Sequence, residues 1–219
     1  MSYAFMSISF KPNQTLLFIG DSITDCGRTR PIGQRAGNGL GSGYVSFVDS
    51  ILGAAVPEVP VRVLNLGCSG NRVTNLAERW HADVLDLKPD WLSVMIGIND
   101  VWRQFDGVPG MPQVAPEQYE SIYRDLLAQT RPQLEGLVLM TPYYLETNLE
   151  DPMRTKMDIY SAITRKLAQE FDAIFVDTQA AFDQYLAQRP TQSLCSDRVH
   201  PNGVGHMVLA RAFLTAVGL

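Results

Sequence analysis

A short apolar segment near the start of the chain constrains its possible folds more than any other feature. Residues 16–19 are all large and apolar, which is typical of a strand buried on both faces of a sheet. The segment ends at Gly20, and Ser22 follows two residues later. Open α/β sheets bind their ligands beyond the carboxyl ends of such strands. The same residues would also suit a turn with a serine helix cap, so this segment alone leaves both roles open.

Apolar runs of strand length alternate with helical patterns along the rest of the chain. Further strands are predicted at 61–66, 91–96, 137–141 and 173–176. Helices are predicted at about 43–52, 74–87, 117–129, 155–171 and 179–187, with a last helix that ends near 217. This alternation predicts an α/β/α sandwich around a parallel sheet of five strands, in the order 2-1-3-4-5. No repeat or low-complexity linker interrupts the pattern, so residues 1–219 are predicted to form a single domain.

Composition and charge argue against several classes of protein. The chain has 219 residues, of which 46% are hydrophobic, as expected of a globular domain with a sizeable core. A net charge of -5 without a basic block argues against a nucleic-acid partner. No apolar run approaches the ~20 residues that span a bilayer, so no membrane partner is expected. Residues 1–13 lack the features of a secretory signal, and the predicted location is the cytoplasm.

Metal and redox chemistry are not indicated by the pattern of cysteines and histidines. The three cysteines are widely spaced and form no C-x-x-C motif, which favours reduced thiols over a zinc or redox site. No two histidines stand at metal-ligand spacing beside an acidic residue. No phosphate-binding glycine motif follows the first strand, which argues against a nucleotide binder. Neither a metal nor an organic cofactor is expected.

Three predicted strand ends provide groups suited to serine chemistry. In the order 2-1-3-4-5, the first strand lies between the second and the third, so residues that follow these strands meet at one edge of the sheet. Ser22, Gly70 and Asn99 each follow one of the three strands. Ser22 can be a nucleophile, and its N–H, the Gly70 N–H and the Asn99 amide can donate to an oxyanion. Gly67 is an alternative for the glycine position, where the absence of a Cβ lets an amide approach a ligand.

A base for this nucleophile must come from the three histidines of the chain. His81 and His206 both fall within predicted helices, where surface or structural roles are more common. His200 lies in a loop, and Asp197, three residues earlier, can accept from one ring nitrogen and fix the tautomer. Pro201, at the predicted start of the last helix, would equally suit ordinary helix capping.

Four blocks in chain order resemble those of the SGNH (GDSL-type) hydrolases. The blocks are Gly20-Asp21-Ser22-Ile23, Gly70, Gly97-Ile98-Asn99-Asp100 and Asp197-x-x-His200-Pro201. The resemblance implies the flavodoxin-like SGNH hydrolase fold. It also implies a catalytic triad of Ser22, Asp197 and His200. The oxyanion hole would consist of Ser22, Gly70 and Asn99. Gly70 is preferred over Gly67 because its spacing from the end of the second strand matches the family block.

A narrower resemblance is to intracellular acetyl xylan esterases of the same superfamily. Four segments resemble them, at 18–28, 95–104, 139–143 and 151–154. This resemblance implies deacetylation of acetylated xylo-oligosaccharides by a homo-oligomer built from dimers, with octamers in some relatives. Apolar residues near Phe213 and Leu214, on the last helix, are a second reason to expect self-association. Ser196 stands where some relatives have an aromatic residue before the triad aspartate.

The loops around the predicted site are polar and aromatic, which suits a sugar. Trp102 and Tyr143 follow the third and fourth strands and are candidates for an aromatic platform, although both would equally cap the rim of the core. Asp21 is a further candidate for a substrate contact. These loops contain no aliphatic run to bind a long acyl chain. The alternatives are a lipase, arylesterase or thioesterase, which share the chemistry, and a non-catalytic carbohydrate-binding protein, which an intact triad disfavours.

Overall fold

The computed structural model describes residues 9–107, 110 and 112–219. A parallel sheet of five strands lies at its centre, in the order β2-β1-β3-β4-β5. The strands are β1 (Thr15–Gly20), β2 (Arg62–Asn65), β3 (Trp91–Met95), β4 (Gly136–Met140) and β5 (Ile174–Val176). The predicted fold class and strand order are therefore confirmed. Residues 1–8, which include most of the segment examined for a secretory signal, lie outside the described residues.

Helices cover the sheet in two groups. They are α1 (Ser22–Asp25), α2 (Tyr44–Ala55), α3 (Val73–Trp80), α4 (Ile98–Trp102), α5 (Pro116–Thr130), α6 (Pro152–Glu170), α7 (Thr178–Leu186) and α8 (Gly203–Ala216). In one group α8 packs against α2 and α7, and in the other α5 packs against α3 and α6. Among the described residues there is no helix with the length and apolar character that a membrane span requires.

Several helices differ from the sequence-based prediction. The helix predicted at 74–87 ends as an α-helix at Trp80, and a π-helical turn continues it through His81–Leu85. The last helix begins later than predicted, because the Asn202 side chain, and not Pro201, caps its first N–H groups. The short helices α1 and α4 were not predicted, and each begins within three residues of the end of a central strand.

The core forms around the strand that the apolar segment predicted. Residues 16–19 are completely buried in β1, and the Phe18 ring packs against Phe213 of α8, with 5.0 Å between ring centroids. Phe213 and Leu214 are both buried, so they hold α8 on the sheet. These two side chains themselves therefore provide no surface for self-association. Self-association stays a prediction from the family resemblance alone.

His206 of α8 is buried behind the edge of the sheet where β1 ends. Its Nδ1 accepts a hydrogen bond from the Tyr44 N–H at the start of α2, at 3.2 Å, so the neutral ring must hold its proton on Nε2. Nε2 lies 3.1 Å from the Sγ of Cys26. Burial, with a smaller effect from nearby His200, lowers the pKa of His206 to about 4. The ring therefore stays neutral and joins α8 to α2 at neutral pH.

We expect His206 to make the fold sensitive to acid. Its pKa is 6.5 when unperturbed and about 4 in the folded protein, so between these values the unfolded chain binds a proton that the folded chain does not. Acidification from pH 6.5 to 4.5 should therefore lower the free energy of unfolding of the wild type more than that of His206→Asn, by about 3 kcal/mol at most. Asparagine keeps an acceptor for the Tyr44 N–H.

Urea denaturation of both proteins at pH 6.5, 5.5 and 4.5 measures this difference. His81→Asn is the matched control, because it makes the same substitution at a side chain that is 81% exposed. Parallel stability curves for the wild type and His206→Asn would contradict the assignment of acid sensitivity to His206.

Candidate active site

Ser22 is the first residue of α1 and follows directly on the turn that ends β1. The Asp21 carboxylate caps this helix by accepting a hydrogen bond from the Ile23 N–H at 3.0 Å. A side chain at Gly20 would place its Cβ 2.4 Å from the Met95 carbonyl oxygen, so a glycine is needed where β1 runs closely beside β3. These local constraints present the Ser22 side chain, which is partly exposed, at the carboxyl edge of the sheet.

Ser22, His200 and Asp197 form a continuous chain of hydrogen bonds. Ser22 Oγ lies 2.8 Å from His200 Nε2, and His200 Nδ1 lies 2.7 Å from Asp197 Oδ2. The other Asp197 oxygen accepts from the N–H groups of Val199 and His200, both at 2.9 Å. With a carboxylate facing Nδ1, the neutral ring holds its proton there, and Nε2 is left to accept the proton of Ser22.

The Asp197 carboxylate is held in its ionised form. Burial alone would raise its pKa, but the hydrogen bonds from the His200 ring and from the N–H groups of His200 and Val199 outweigh this effect and lower it. An ionised Asp197 can stabilise the positive imidazolium that forms when His200 takes a proton.

Arg198 strains the loop that contains the histidine. Its φ of 64° lies in the left-handed region, which a residue with a side chain rarely adopts. The Leu145 N–H donates to the Arg198 carbonyl at 2.9 Å, and the guanidinium forms an ion pair with Glu146 at 2.8 Å. The loop after β4 therefore holds this bend in place and, with it, the short spacing between Asp197 and His200.

Gly70 lies in a tight turn after β2. The turn is closed by a hydrogen bond of 3.1 Å from the Asn71 N–H to the Cys68 carbonyl, and Gly70 has a φ of +81°. No protein atom lies within 4 Å of a Cβ built at Gly70, so the positive φ, and not close packing, requires a glycine here. Within the described part of the chain, the N–H groups of Gly70 and Ser22 donate no hydrogen bond.

Gly67 has a different role from Gly70. Its N–H donates to Asn65 Oδ1 at 2.9 Å, so this group is already occupied. A Cβ at Gly67 would lie 2.2 Å from the Asp25 nitrogen. Gly67 thus lets the end of β2 pack against α1, and the geometry favours Gly70 as an oxyanion donor.

Asn99 lies in the first turn of α4 and is 2% exposed. Its Nδ2 donates to the Asn71 carbonyl at 3.0 Å. Because an amide nitrogen has two hydrogens, one remains for a ligand. Asn71 follows Gly70 directly, so this hydrogen bond joins the two predicted oxyanion donors through one residue.

Two buried carboxyl groups, Asp21 and Asp100, lie behind the site. Burial raises the pKa of Asp21 to about 7, opposed by its hydrogen bond from Ile23 and reinforced by nearby Asp100. Burial also raises the pKa of Asp100 to about 7, although both of its oxygens accept from the Val73 N–H, at 3.1 and 3.2 Å. Asp21 was predicted to contact a substrate, but it is only 1% exposed. It acts instead as a helix cap.

The two aromatic residues predicted to face a sugar differ in position. Trp102 is partly exposed, its ring centroid lies 5.9 Å from that of His200, and the Arg103 guanidinium lies 5.0 Å from it. Tyr143 is completely buried, packs against Phe182 and donates its hydroxyl to the Val199 carbonyl at 3.1 Å. Tyr143 is therefore corrected from a substrate platform to a support beneath the histidine loop, whereas Trp102 stands at the site.

Asn65 and Asp25 organise the site but were not predicted as part of the catalytic triad or the oxyanion hole. Asn65 is completely buried and its Nδ2 donates to the carbonyls of Thr24 and Leu40, at 2.7 and 2.8 Å. Asp25 Oδ2 accepts from both the N–H and the hydroxyl of Ser69 at 3.0 Å. A polar residue inside an apolar predicted strand was the available signal for Asn65, because a buried amide needs partners.

We expect the ionisation of Asp100 to destabilise the folded protein at high pH. Its pKa is about 7 in the folded protein and 3.8 when unperturbed, so its stabilising effect is present at low pH and is lost as the pH rises through 7. Asp100→Asn removes this buried charge and should be more stable than the wild type at pH 8.5, on the order of 1–3 kcal/mol. The difference should disappear by pH 4.5.

The measurement is the urea midpoint and slope at pH 8.5, 7 and 4.5. Asp172→Asn is the control, because that carboxylate is fully exposed at the surface. A variant Asp100→Asn that is no more stable than the wild type at pH 8.5 would show that Asp100 is not a buried charge.

Among the described residues, no three or more His, Cys, Asp or Glu side chains are grouped so that they could hold a metal ion. The chemistry that the arrangement supports is nucleophilic attack by Ser22 with His200 as the base. His200 is in direct contact with both Ser22 and Asp197, and Gly70 and Asn99 are connected to each other through Asn71.

Comparisons with known proteins agree with this geometry. A sequence model of the GDSL-like lipase/acylhydrolase family matches residues 18–208. An acetylxylan esterase from Geobacillus stearothermophilus is 51% identical over 207 residues, which are 94% of each chain. A crystal structure of an acetylxylan esterase from that organism has a TM-score of 0.93 at 50% identity, covering 96% of both chains. An α/β hydrolase from the metagenome of Lake Arreo also has a TM-score of 0.93, at 47% identity over 95% of this chain and 97% of its own.

Variants of the Geobacillus enzyme have also been solved. Three are described as catalytic mutants, in which a serine, an aspartate or a histidine is replaced by alanine. The aspartate and the histidine of that enzyme are three positions apart, as are Asp197 and His200. Another variant replaces a tryptophan directly before that aspartate, a position at which this chain has Ser196.

Proposed function

Since the chain belongs to the GDSL-like lipase/acylhydrolase family, we propose that it is a serine esterase that hydrolyses acetyl esters of sugars, with acetylated xylo-oligosaccharides as substrates. The observation that supports this most strongly is the hydrogen-bonded chain from Ser22 through His200 to Asp197. The identity of 51% to an acetylxylan esterase supports acetyl as the acyl group.

The first half of the reaction forms an acyl-enzyme. Ser22 Oγ attacks the ester carbonyl carbon while His200 Nε2 accepts the hydroxyl proton. The carbonyl oxygen becomes negative, and the N–H groups of Ser22 and Gly70 and the free Asn99 amide hydrogen donate to it. When the tetrahedral intermediate collapses, the bond to the sugar oxygen breaks, and the imidazolium gives its proton to that oxygen. The sugar leaves as an alcohol and the acetyl group stays on Ser22.

The second half releases acetate. A water molecule gives a proton to His200 and attacks the acetyl carbonyl carbon. The new oxyanion occupies the same three donors, and its collapse returns the proton from His200 to Ser22 Oγ. Asp197 keeps the ring oriented through both halves and stabilises its charged form.

Trp102 supports a sugar as the alcohol part of the ester. It is an aromatic side chain beside His200, which is where the leaving alcohol must sit to receive a proton. Sugar rings present C–H faces that pack well on such rings, and the Arg103 guanidinium beside the tryptophan can donate hydrogen bonds to hydroxyl groups.

We expect loss of the nucleophile to abolish turnover without unfolding the protein. Ser22→Ala should lower kcat on 4-nitrophenyl acetate by about 10³-fold or more. His200→Ala should have a comparable effect, and Asp197→Asn should lower kcat by up to ~10⁴-fold because it permits the wrong tautomer. Ser50→Ala, which changes an exposed serine on α2, is the matched control and should keep the wild-type rate. Near wild-type turnover by Ser22→Ala would rule out Ser22 as the nucleophile.

We expect a steep preference for acetyl groups. The kcat/KM for acetyl, butyryl, octanoyl and palmitoyl esters should fall sharply beyond two carbons, because the sequences of the loops around the site contain no aliphatic run that would recover about 0.8 kcal/mol per buried methylene. Peracetylated xylobiose should be deacetylated. Activity that rises with chain length would indicate a lipase or thioesterase, and binding of the sugar without acetate release would indicate a carbohydrate-binding protein.

The role of Trp102 can be measured with the same substrates. Trp102→Ala should raise KM for peracetylated xylobiose more than for 4-nitrophenyl acetate. Trp102→Phe keeps an aromatic face, so its KM for peracetylated xylobiose should lie between those of the wild type and Trp102→Ala. Equal changes on both substrates would show that Trp102 supports His200 and does not bind the sugar. A wild type that cleaves only aryl acetates would be a generic arylesterase.

A further inference from the structure

Arg79 lies at the end of α3, and its guanidinium reaches the segments that surround the oxyanion donors. Its Nε donates to Asn71 Oδ1 at 2.7 Å. Its two terminal nitrogens donate to the carbonyls of Leu66 and Gly20, at 2.8 and 3.1 Å. A further hydrogen bond goes to the carboxylate of Asp83. The side chain is 18% exposed, so most of these bonds are shielded from water.

The bond to Asn71 acts on both predicted oxyanion donors outside Ser22. Asn71 follows Gly70 and closes its turn, and the Asn71 carbonyl accepts from the Asn99 amide. The side chain of Asn71 accepts from Arg79. Arg79 therefore holds the one residue that is bonded to the Asn99 side chain and covalently joined to Gly70.

The two carbonyl contacts fix this turn relative to the nucleophile. The Gly20 carbonyl lies two residues before Ser22, and it also accepts from the Cys68 N–H at 3.0 Å, at the start of the Gly70 turn. The Leu66 carbonyl marks the point where the chain leaves β2. The planar guanidinium of Arg79 thus joins the end of β1, the end of β2 and the turn that contains Gly70.

The chemistry of the site requires an arginine. Its five N–H donors lie in one plane and diverge, so they reach acceptors on three segments at once, and the group is always charged. A lysine carries its three donors on one nitrogen and cannot reach these separated acceptors together. None of the acceptors among Asn71, Leu66 and Gly20 is charged, so neutralising a carboxylate does not explain these contacts.

We propose that Arg79 is a positioning residue that sets the relative placement of the Gly70 N–H and the Asn99 amide. This inference rests on the proposed function, because it needs an oxyanion to form at Ser22. Arg79 touches neither substrate nor reacting atoms and acts through Asn71. Donors placed correctly stabilise the transition state far more than the bound ester, so loss of Arg79 lowers kcat and leaves KM almost unchanged.

The first experiment compares Arg79→Gln and Arg79→Lys with Asp83→Asn on 4-nitrophenyl acetate. Both arginine variants should lose about 10- to 100-fold in kcat with KM within about threefold of the wild type. Asp83→Asn removes the ion pair but keeps the three loop contacts, so its kcat should stay within about twofold. Circular dichroism and the melting temperature of each variant report on folding.

A double-mutant cycle separates positioning from general loss of structure. Asn99→Ala alone should cost about 10²–10³ in kcat. If Arg79 acts through the oxyanion hole, Arg79→Gln should cost at least about threefold less in the Asn99→Ala background than in the wild type, because only the Gly70 N–H is then left to be misplaced. A purely structural effect would multiply instead, and that outcome would overturn the proposal. Wild-type kcat in Arg79→Gln would overturn it as well.

Two further variants keep the test decisive. If Arg79→Gln does not fold, Asn71→Ala removes only the side-chain acceptor of Nε, and wild-type kcat for that variant overturns the proposal.

Ser22→Ala distinguishes failure of the proposed function from failure of the role of Arg79. If Ser22→Ala and Asn99→Ala are slow but the Arg79 variants are not, only the role of Arg79 is lost. If Ser22→Ala is fully active, the proposed function and the role of Arg79 fall together.

Discussion

The parallel pairing of β1 with β2 on one side and β3 on the other is the interaction on which the site depends. Phe18 stands opposite Asn65 and Gly20 opposite Met95, so three strands end at nearly the same level. The residues that directly follow these strands therefore lie close together at one edge of the sheet, and no long loop has to fold over the sheet to bring them there. The order of the strands, which right-handed crossovers favour, therefore decides which side chains can react together.

Beyond the strand ends, polar side chains rather than apolar packing hold the loops. Asn65 bonds the end of β2 to α1 and to the long loop before α2, and Asp25 fixes Ser69. Such contacts are directional, and leaving one partner of a buried hydrogen bond unpaired costs about 1–3 kcal/mol. An apolar contact tolerates sliding, whereas these bonds define a position. Reacting groups must be placed within fractions of an ångström, and the polar network provides that placement.

The fold could be predicted because it depends on local patterns, whereas the grouping of Ser22, Asp197 and His200 was predicted from the resemblance to the SGNH hydrolases. Uninterrupted apolar runs mark the central strands, and few topologies join them. The helices α1 and α4 are too short to show a helical period, so they escaped prediction. Tyr143 was misplaced because a tyrosine suits a rim and a core equally, and only packing decides. The contacts of Arg79 could not be predicted, since two of its acceptors are backbone carbonyls, which any residue has.

Asp197 and His200 lie on one bent loop, and the Asp197 carboxylate is bonded to the backbone and to the ring of that same loop. Asp197 and His200 therefore behave as a single rigid part. A shift of this part relative to β1 would leave the contact between Asp197 and His200 intact and would change only the gap to Ser22. The triad therefore has one variable distance rather than two. Motion of the loop, or of α8 that follows it, changes the distance between Ser22 and His200 alone.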